Sequence, residues 1–119
     1  MINLEVYIDD EFYAILNCED DGDLRNHRLS NDGKIYTYWE NQFLDGGTAH
    51  IIEFTNHKYW VENRYGEDFS DFVLARTREE GVYSSGKKYV HWWASKAKDL
   101  VAKEWKTASG RKVVFKYQD

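Results

Sequence analysis

Lys87-Lys88-Tyr89-Val90-His91-Trp92-Trp93-Ala94-Ser95-Lys96-Ala97-Lys98-Asp99-Leu100-Val101-Ala102-Lys103-Glu104-Trp105-Lys106 is the stretch whose reading decides the fold. Tyr89, Val90, Trp93, Ala97, Leu100, Val101 and Trp105 fall on one broad arc at about 100° per residue. Ser84 or Ser85 precedes the arc as a cap. The spacing therefore predicts a long helix over 87–106. On that helix Trp92 stands about 100° from Trp93, off the apolar arc and beside Lys96, Asp99 and Lys103.

Upstream the period changes from helical to alternating. Ile2, Leu4, Val6 and Ile8 alternate with polar residues, which predicts a half-buried strand. Asp9-Asp10 turns it into a returning strand, Phe12 to Leu16. Glu19 to Asp23 reads as an acidic loop around Gly22, and Leu24 to Leu29 as a third strand. Asn31-Asp32-Gly33 tolerates positive φ and marks a turn before the strand Lys34 to Trp39. Asp45-Gly46-Gly47 precedes a strand from Ala49 to Phe54, and Thr55-Asn56 turns into one from Lys58 to Glu62. A short helix capped by Asp68 or Ser70, with Phe69, Phe72 and Val73 at helical spacing, competes with a strand over 72–77. Val113, Phe115 and Tyr117 alternate as a last strand. The expected architecture is α+β: a twisted antiparallel sheet of about five to seven strands, one face covered by the long C-terminal helix, with a short second helix as an option.

Length and composition set bounds. A chain of 119 residues fits a single globular domain, 1–119. A hydrophobic fraction of 42% supports one packed core, and an aromatic fraction of 17% places some rings at the surface of so small a domain. No apolar run reaches the ~20 residues of a membrane span. The N-terminus lacks the basic and then apolar character of a secretory leader. Cys18 is the single cysteine, which excludes a disulfide framework. A cytoplasmic location and no membrane partner are the expectations.

The net charge of −5 is uneven. Residues 1–80 hold 18 acids and 7 bases, net −11, whereas 81–119 hold 3 acids and 9 bases, net +6. Either the two parts attract and pack together, or the split serves a partner.

Motifs that carry chemistry fail at specific positions. Gly81 to Lys88 approaches a phosphate-binding loop, but Lys88 stands where a magnesium-holding hydroxyl belongs. Asn17 to Arg28 overlays a calcium loop until Arg28 occupies the place of the bidentate Glu. His50 and Glu53 are three apart on a predicted strand and so point to opposite faces, and His27, His57 and His91 are scattered. No catalytic residue, metal site or cofactor is expected.

Two features remain. The first is the carboxylates Asp9, Asp10, Glu19, Asp20, Asp21 and Asp23; if Glu19 to Asp23 is extended, its alternate acids form a row at ~6.6 Å that resembles nucleic-acid phosphates. The second is Trp92 with Lys96 and Lys103. Together they suggest a non-enzymatic acidic inhibitor that occludes a basic surface of a nucleic-acid-handling protein, as toxin-immunity and phage anti-defence proteins do. The alternatives are a single-stranded nucleic-acid binder using Trp92 and the C-terminal lysines, which the chain's acidity disfavours, and a small enzyme without a recognisable motif.

Overall fold

In the computed structural model residues 1–40, 47–55 and 71–118 are described. The order is β1 (Ile2–Ile8), β2 (Glu11–Cys18), β3 (Arg28–Leu29), β4 (Ile35–Glu40), β5 (Ala49–Phe54), β6 (Asp71–Val82), β7 (Lys88–Ala94), α1 (Ala97–Val101), β8 (Trp105–Lys106) and β9 (Lys112–Tyr117). They form two antiparallel sheets, ordered β2-β1-β9-β8 and β3-β4-β5-β6-β7. The α+β expectation is thus corrected: the described residues are 59% strand and 5% helical, and among them no long helix covers a sheet.

The correction centres on 87–106. Tyr89 to Trp93 is a run of β-branched and aromatic side chains that pack well on a pleated surface. It pairs with β6 from Arg76↔Ala94 to Val82↔Lys88. Helix survives only in the Ala- and Lys-rich part, Ala97–Val101, where Asp99 accepts the Lys96 N–H at 2.9 Å. Trp105 then starts β8 and donates its indole N–H to the Leu100 carbonyl at 3.0 Å. The expected short helix is likewise absent from 71 onward, where β6 runs as the competing strand and extends to Val82. Asp45, Gly46, the strand Lys58 to Glu62 and the cap candidates Asp68 and Ser70 lie outside the described residues.

One core serves both sheets. Leu4, Val6, Leu16 and Phe115 from the first meet Ile35, Ile52, Phe54 and Val73 from the second, with Leu100 of α1 among them. Each of these side chains contributes about 1.5–3 kcal/mol by leaving water. The alternation that the sequence shows in β1, β4 and β9 is the alternation of burial.

A buried carboxylate ties the sheets together at the start of β6. Asp71 is fully buried and accepts the backbone N–H of Phe72 at 3.0 Å and of Ser109 at 3.1 Å, and the Ser109 hydroxyl. Ser109 lies in the turn between β8 and β9, so this contact anchors the start of β6, the longest of the described strands.

Candidate partner-binding site

The second sheet ends in a two-stranded ribbon. β5 pairs with β6 only from Asp71 to Ala75, whereas β7 follows β6 from Arg76 to Val82. The ribbon's tip is a tight hairpin. Gly86 N–H donates to the Tyr83 carbonyl and Tyr83 N–H to the Lys87 carbonyl, both at 2.8 Å. Gly86 takes φ +88°, as a three-residue loop with a bulge requires. The phosphate-loop resemblance of 81–88 is therefore a hairpin between antiparallel strands, with no helix following it. A longest dimension of 52 Å against a shortest of 25 Å fits a body with such a projection.

The ribbon has two unlike faces because side chains alternate. One carries Thr77, Glu79 and Gly81 opposite Trp93, His91 and Tyr89. Here the rings form a ladder: Tyr83 to Tyr89 at 4.7 Å, Tyr89 to His91 at 4.7 Å and His91 to Trp93 at 5.7 Å between centroids. Glu79 holds the Trp93 indole N–H at 2.5 Å. Gly81 leaves room for Tyr89, since a Cβ there would stand 2.2 Å from the phenol oxygen. This face continues the inner, core side of the sheet, where Val73 and Ala75 are buried, out past the body and into solvent.

The other face carries Arg76, Arg78, Glu80 and Val82 with Trp92, Val90 and Lys88. The Arg76 guanidinium lies 4.2 Å over the Trp92 ring, and Arg78 pairs with Glu80 at 2.7 Å. Val82, Tyr83, Val90 and Trp93 are 62%, 48%, 44% and 49% exposed. Apolar groups gathered this densely at one exposed element make the ribbon the candidate contact surface.

The structure disperses the residues that the sequence suggested for binding. Trp92 is half-buried on the ribbon, but Lys96 is engaged with Asp23 at 3.2 Å and Lys103 lies 4.2 Å over Trp105. Ribbon arginines, not these lysines, stand beside the Trp92 ring. The acids are largely neutralised within the chain. Asp9 pairs with Arg111 at 3.5 Å and Asp10 with Lys112 at 2.7 Å. Glu19 pairs with Arg25 at 3.2 Å and Asp20 with the terminal ammonium at 2.5 Å. Asp21 accepts the Asp23 N–H at 3.0 Å.

Glu19 to Asp23 is not extended. Gly22 N–H donates to the Glu19 carbonyl and Glu19 N–H to the Asp23 carbonyl, both at 2.9 Å, with Gly22 at φ +88°. It is the same tight turn as the ribbon tip, so the row of charges at strand spacing does not form. The charge split seen in the sequence is in good part internal: Asp9, Asp10 and Asp23 meet bases of the C-terminal third.

Other groups offer little chemistry. Cys18 is fully buried, and burial pushes its thiol up to about 11, away from nucleophilic character. His50 is buried with neither ring nitrogen hydrogen-bonded. Burial holds its pKa below the usual value, against the opposing pull of Asp23. Among the described residues no three His, Cys, Asp or Glu side chains gather as metal ligands, and no helix is long and apolar enough to cross a membrane. A cleft lined by Asn17, Arg25, Arg28, Ser30 and Thr37 has about 140 Å³, and more open surface clefts of about 380, 460 and 320 Å³ lie at the ribbon tip, beside Lys112 and beside Trp105. No protein-family model matches the chain, and no curated protein and no solved structure does.

The sequence concealed the ribbon because both of its faces are mixed. Tyr89, His91 and Trp93 alternate with Lys88, Val90 and Trp92, so no apolar and polar alternation marks a strand. The available signal was β-propensity in 89–93 next to the turn Ser84-Ser85-Gly86.

Proposed function

We propose that this chain is a non-enzymatic binding protein of the inhibitor type, which covers a surface of a protein partner and anchors on it through the β6–β7 ribbon. The observation that carries this reading is the exposed aromatic ladder from Tyr83 to Trp93 on an element that leaves the body. Aromatic anchors supply large contact area at low entropic cost. Charge adds direction. Residues 76–94 hold four bases and two acids, net +2, which leaves −7 on the rest of a chain of net −5. An acidic body steers toward a basic surface, such as that of a protein handling nucleic acid, while the ribbon fixes the final register.

The test is affinity capture from host extract, with nuclease, comparing the chain with its Tyr83→Ser/Trp93→Ser variant. The reading expects a nuclease-resistant protein partner that the double variant retains at least tenfold more weakly, with unchanged far-ultraviolet circular dichroism. Equal retention by the variant refutes the anchoring role. A second reading, single-strand nucleic-acid binding, is favoured by Arg76 stacked on Trp92 with Arg78 opposite. It expects tryptophan quenching by short oligonucleotides at 50 mM salt that is lost in Trp92→Ala, and absence of quenching removes it.

A further inference from the structure

We propose that the outer edge of β7, from Lys88 to Trp92, takes up an extended acidic segment of the partner as an added β-strand. This rests on the ribbon being the binding element and names how it binds.

The edge is open along part of its length and already used at one end. Thr48 N–H donates to the Trp92 carbonyl at 2.9 Å, and the Ala94 N–H donates to the Thr48 hydroxyl at 3.0 Å. Trp92 and Ala94 therefore turn their backbone groups away from β6. Backbone groups alternate along a strand, so Val90 and Lys88 turn theirs the same way. The hairpin agrees: Lys87, out of phase with them, gives its carbonyl to Tyr83. Among the described residues β7 has β6 as its one strand neighbour. Among the described residues nothing bonds the N–H and C=O groups of Lys88 and Val90 or the Trp92 N–H, so they form a ladder that begins where Thr48 stops.

The opposite edge of the ribbon has the same phase, at Arg78, Glu80 and Val82, but the Arg78–Glu80 ion pair lies along it. Charged side chains blunt an edge against pairing. From Val90 to Trp92 the β7 edge carries none on the Trp92 face. This asymmetry selects β7.

The flanking side chains select the occupant. A strand laid on this edge has Lys88, Val90 and Trp92 beside one face, with Arg76 against Trp92, and Tyr89 and His91 beside the other. Lys87 and Lys88 stand at the tip, and the face's one carboxylate, Glu80, is already paired with Arg78. The complement is a segment that alternates acids with apolar residues. Main-chain pairing gives such contacts their affinity, and the alternate side chains their selectivity.

The probe is a ten-residue peptide of alternating glutamate and valine, with a lysine-for-glutamate peptide as control, and the readout is amide hydrogen exchange of the full chain. The acidic peptide is expected to slow exchange at Lys88, Val90 and Trp92 at least tenfold and to leave Arg78, Glu80 and Val82 unchanged. Val90→Pro removes one outward N–H without touching the ladder to β6. It is expected to weaken peptide binding at least tenfold, whereas Glu80→Pro on the other edge does not. The proposal is overturned by no protection at millimolar peptide, by equal protection with the lysine peptide, by protection along β6, or by peptide-free protection that grows with protein concentration, which would make a second copy the occupant. If Val90→Pro is captured by the host partner as well as the unaltered chain while Tyr83→Ser/Trp93→Ser is not, strand addition fails and the anchoring role of the ribbon stands. If both variants bind fully, the ribbon reading fails.

Discussion

Asp71→Ala removes a buried acceptor that holds three donors at the junction of the two sheets. Phe72 N–H at 3.0 Å, Ser109 N–H at 3.1 Å and the Ser109 hydroxyl all point at this carboxylate. The side chain is fully buried, so water does not readily replace it. A buried donor left without an acceptor costs about 1–3 kcal/mol. Ser109 is exposed and its hydroxyl can turn to Thr107, 3.1 Å away, so the half-buried Phe72 N–H sets most of the cost. The expected loss is roughly 1–3 kcal/mol, a sizeable share of the ~5–15 kcal/mol of a typical domain. Asp71→Asn keeps one acceptor oxygen and is expected to lose about half as much. Urea unfolding followed by tryptophan fluorescence measures both, with m-values checked for constancy. An alanine variant within 0.5 kcal/mol of the parent refutes the role given to this carboxylate.

Three further predictions follow from particular side chains. His50 has a folded-state pKa below its unfolded value, so its contribution to stability is full above about 6.5 and is lost as pH falls through the folded value; the drop in melting temperature between pH 8 and pH 5 should shrink in His50→Leu, and an identical drop contradicts this. Cys18, with its thiol raised to about 11 and no exposed surface, should resist a thiol reagent at pH 8 and react fully in urea; rapid modification of the folded chain counts against its burial. Gly81→Val forces the Tyr89 ring aside, because a Cβ there lies 2.2 Å from its oxygen. The ring is on an exposed ribbon and can move, so stability should change by less than about 1 kcal/mol while partner binding falls at least tenfold; undiminished binding shows that the ladder is not read as a unit.

The legible part of the fold was the part built by one-sided strands. β1, β4 and β9 each set buried residues on one face, and their period of two survives in the sequence. The turns at Asp9-Asp10 and Gly33 were legible for a similar reason, since their backbones take positive φ. The stretch 87–106 was not legible because its apolar residues serve three structures in succession: a two-faced ribbon strand, one turn and a half of helix and a strand of two residues. Summed over that length they imitate a helical arc. Of the candidate binding residues, Trp92 stands out in the sequence for its position among charges, yet its neighbours come from β6 across the sheet, and no spacing along the chain reveals them. The acids were found as a cluster, but their ion pairs to Arg111, Lys112 and Lys96 are long-range facts of the fold.

The most direct test of the ribbon as contact element is site-specific photo-crosslinking to the captured partner. A photoreactive phenylalanine analogue replaces Val82 at the ribbon tip in one variant and Phe12 on the first sheet in another, positions of matched exposure at 62% and 56%. A strong partner adduct is expected from position 82 and little or none from position 12. A strong adduct from position 12 with none from position 82 would contradict the ribbon's role.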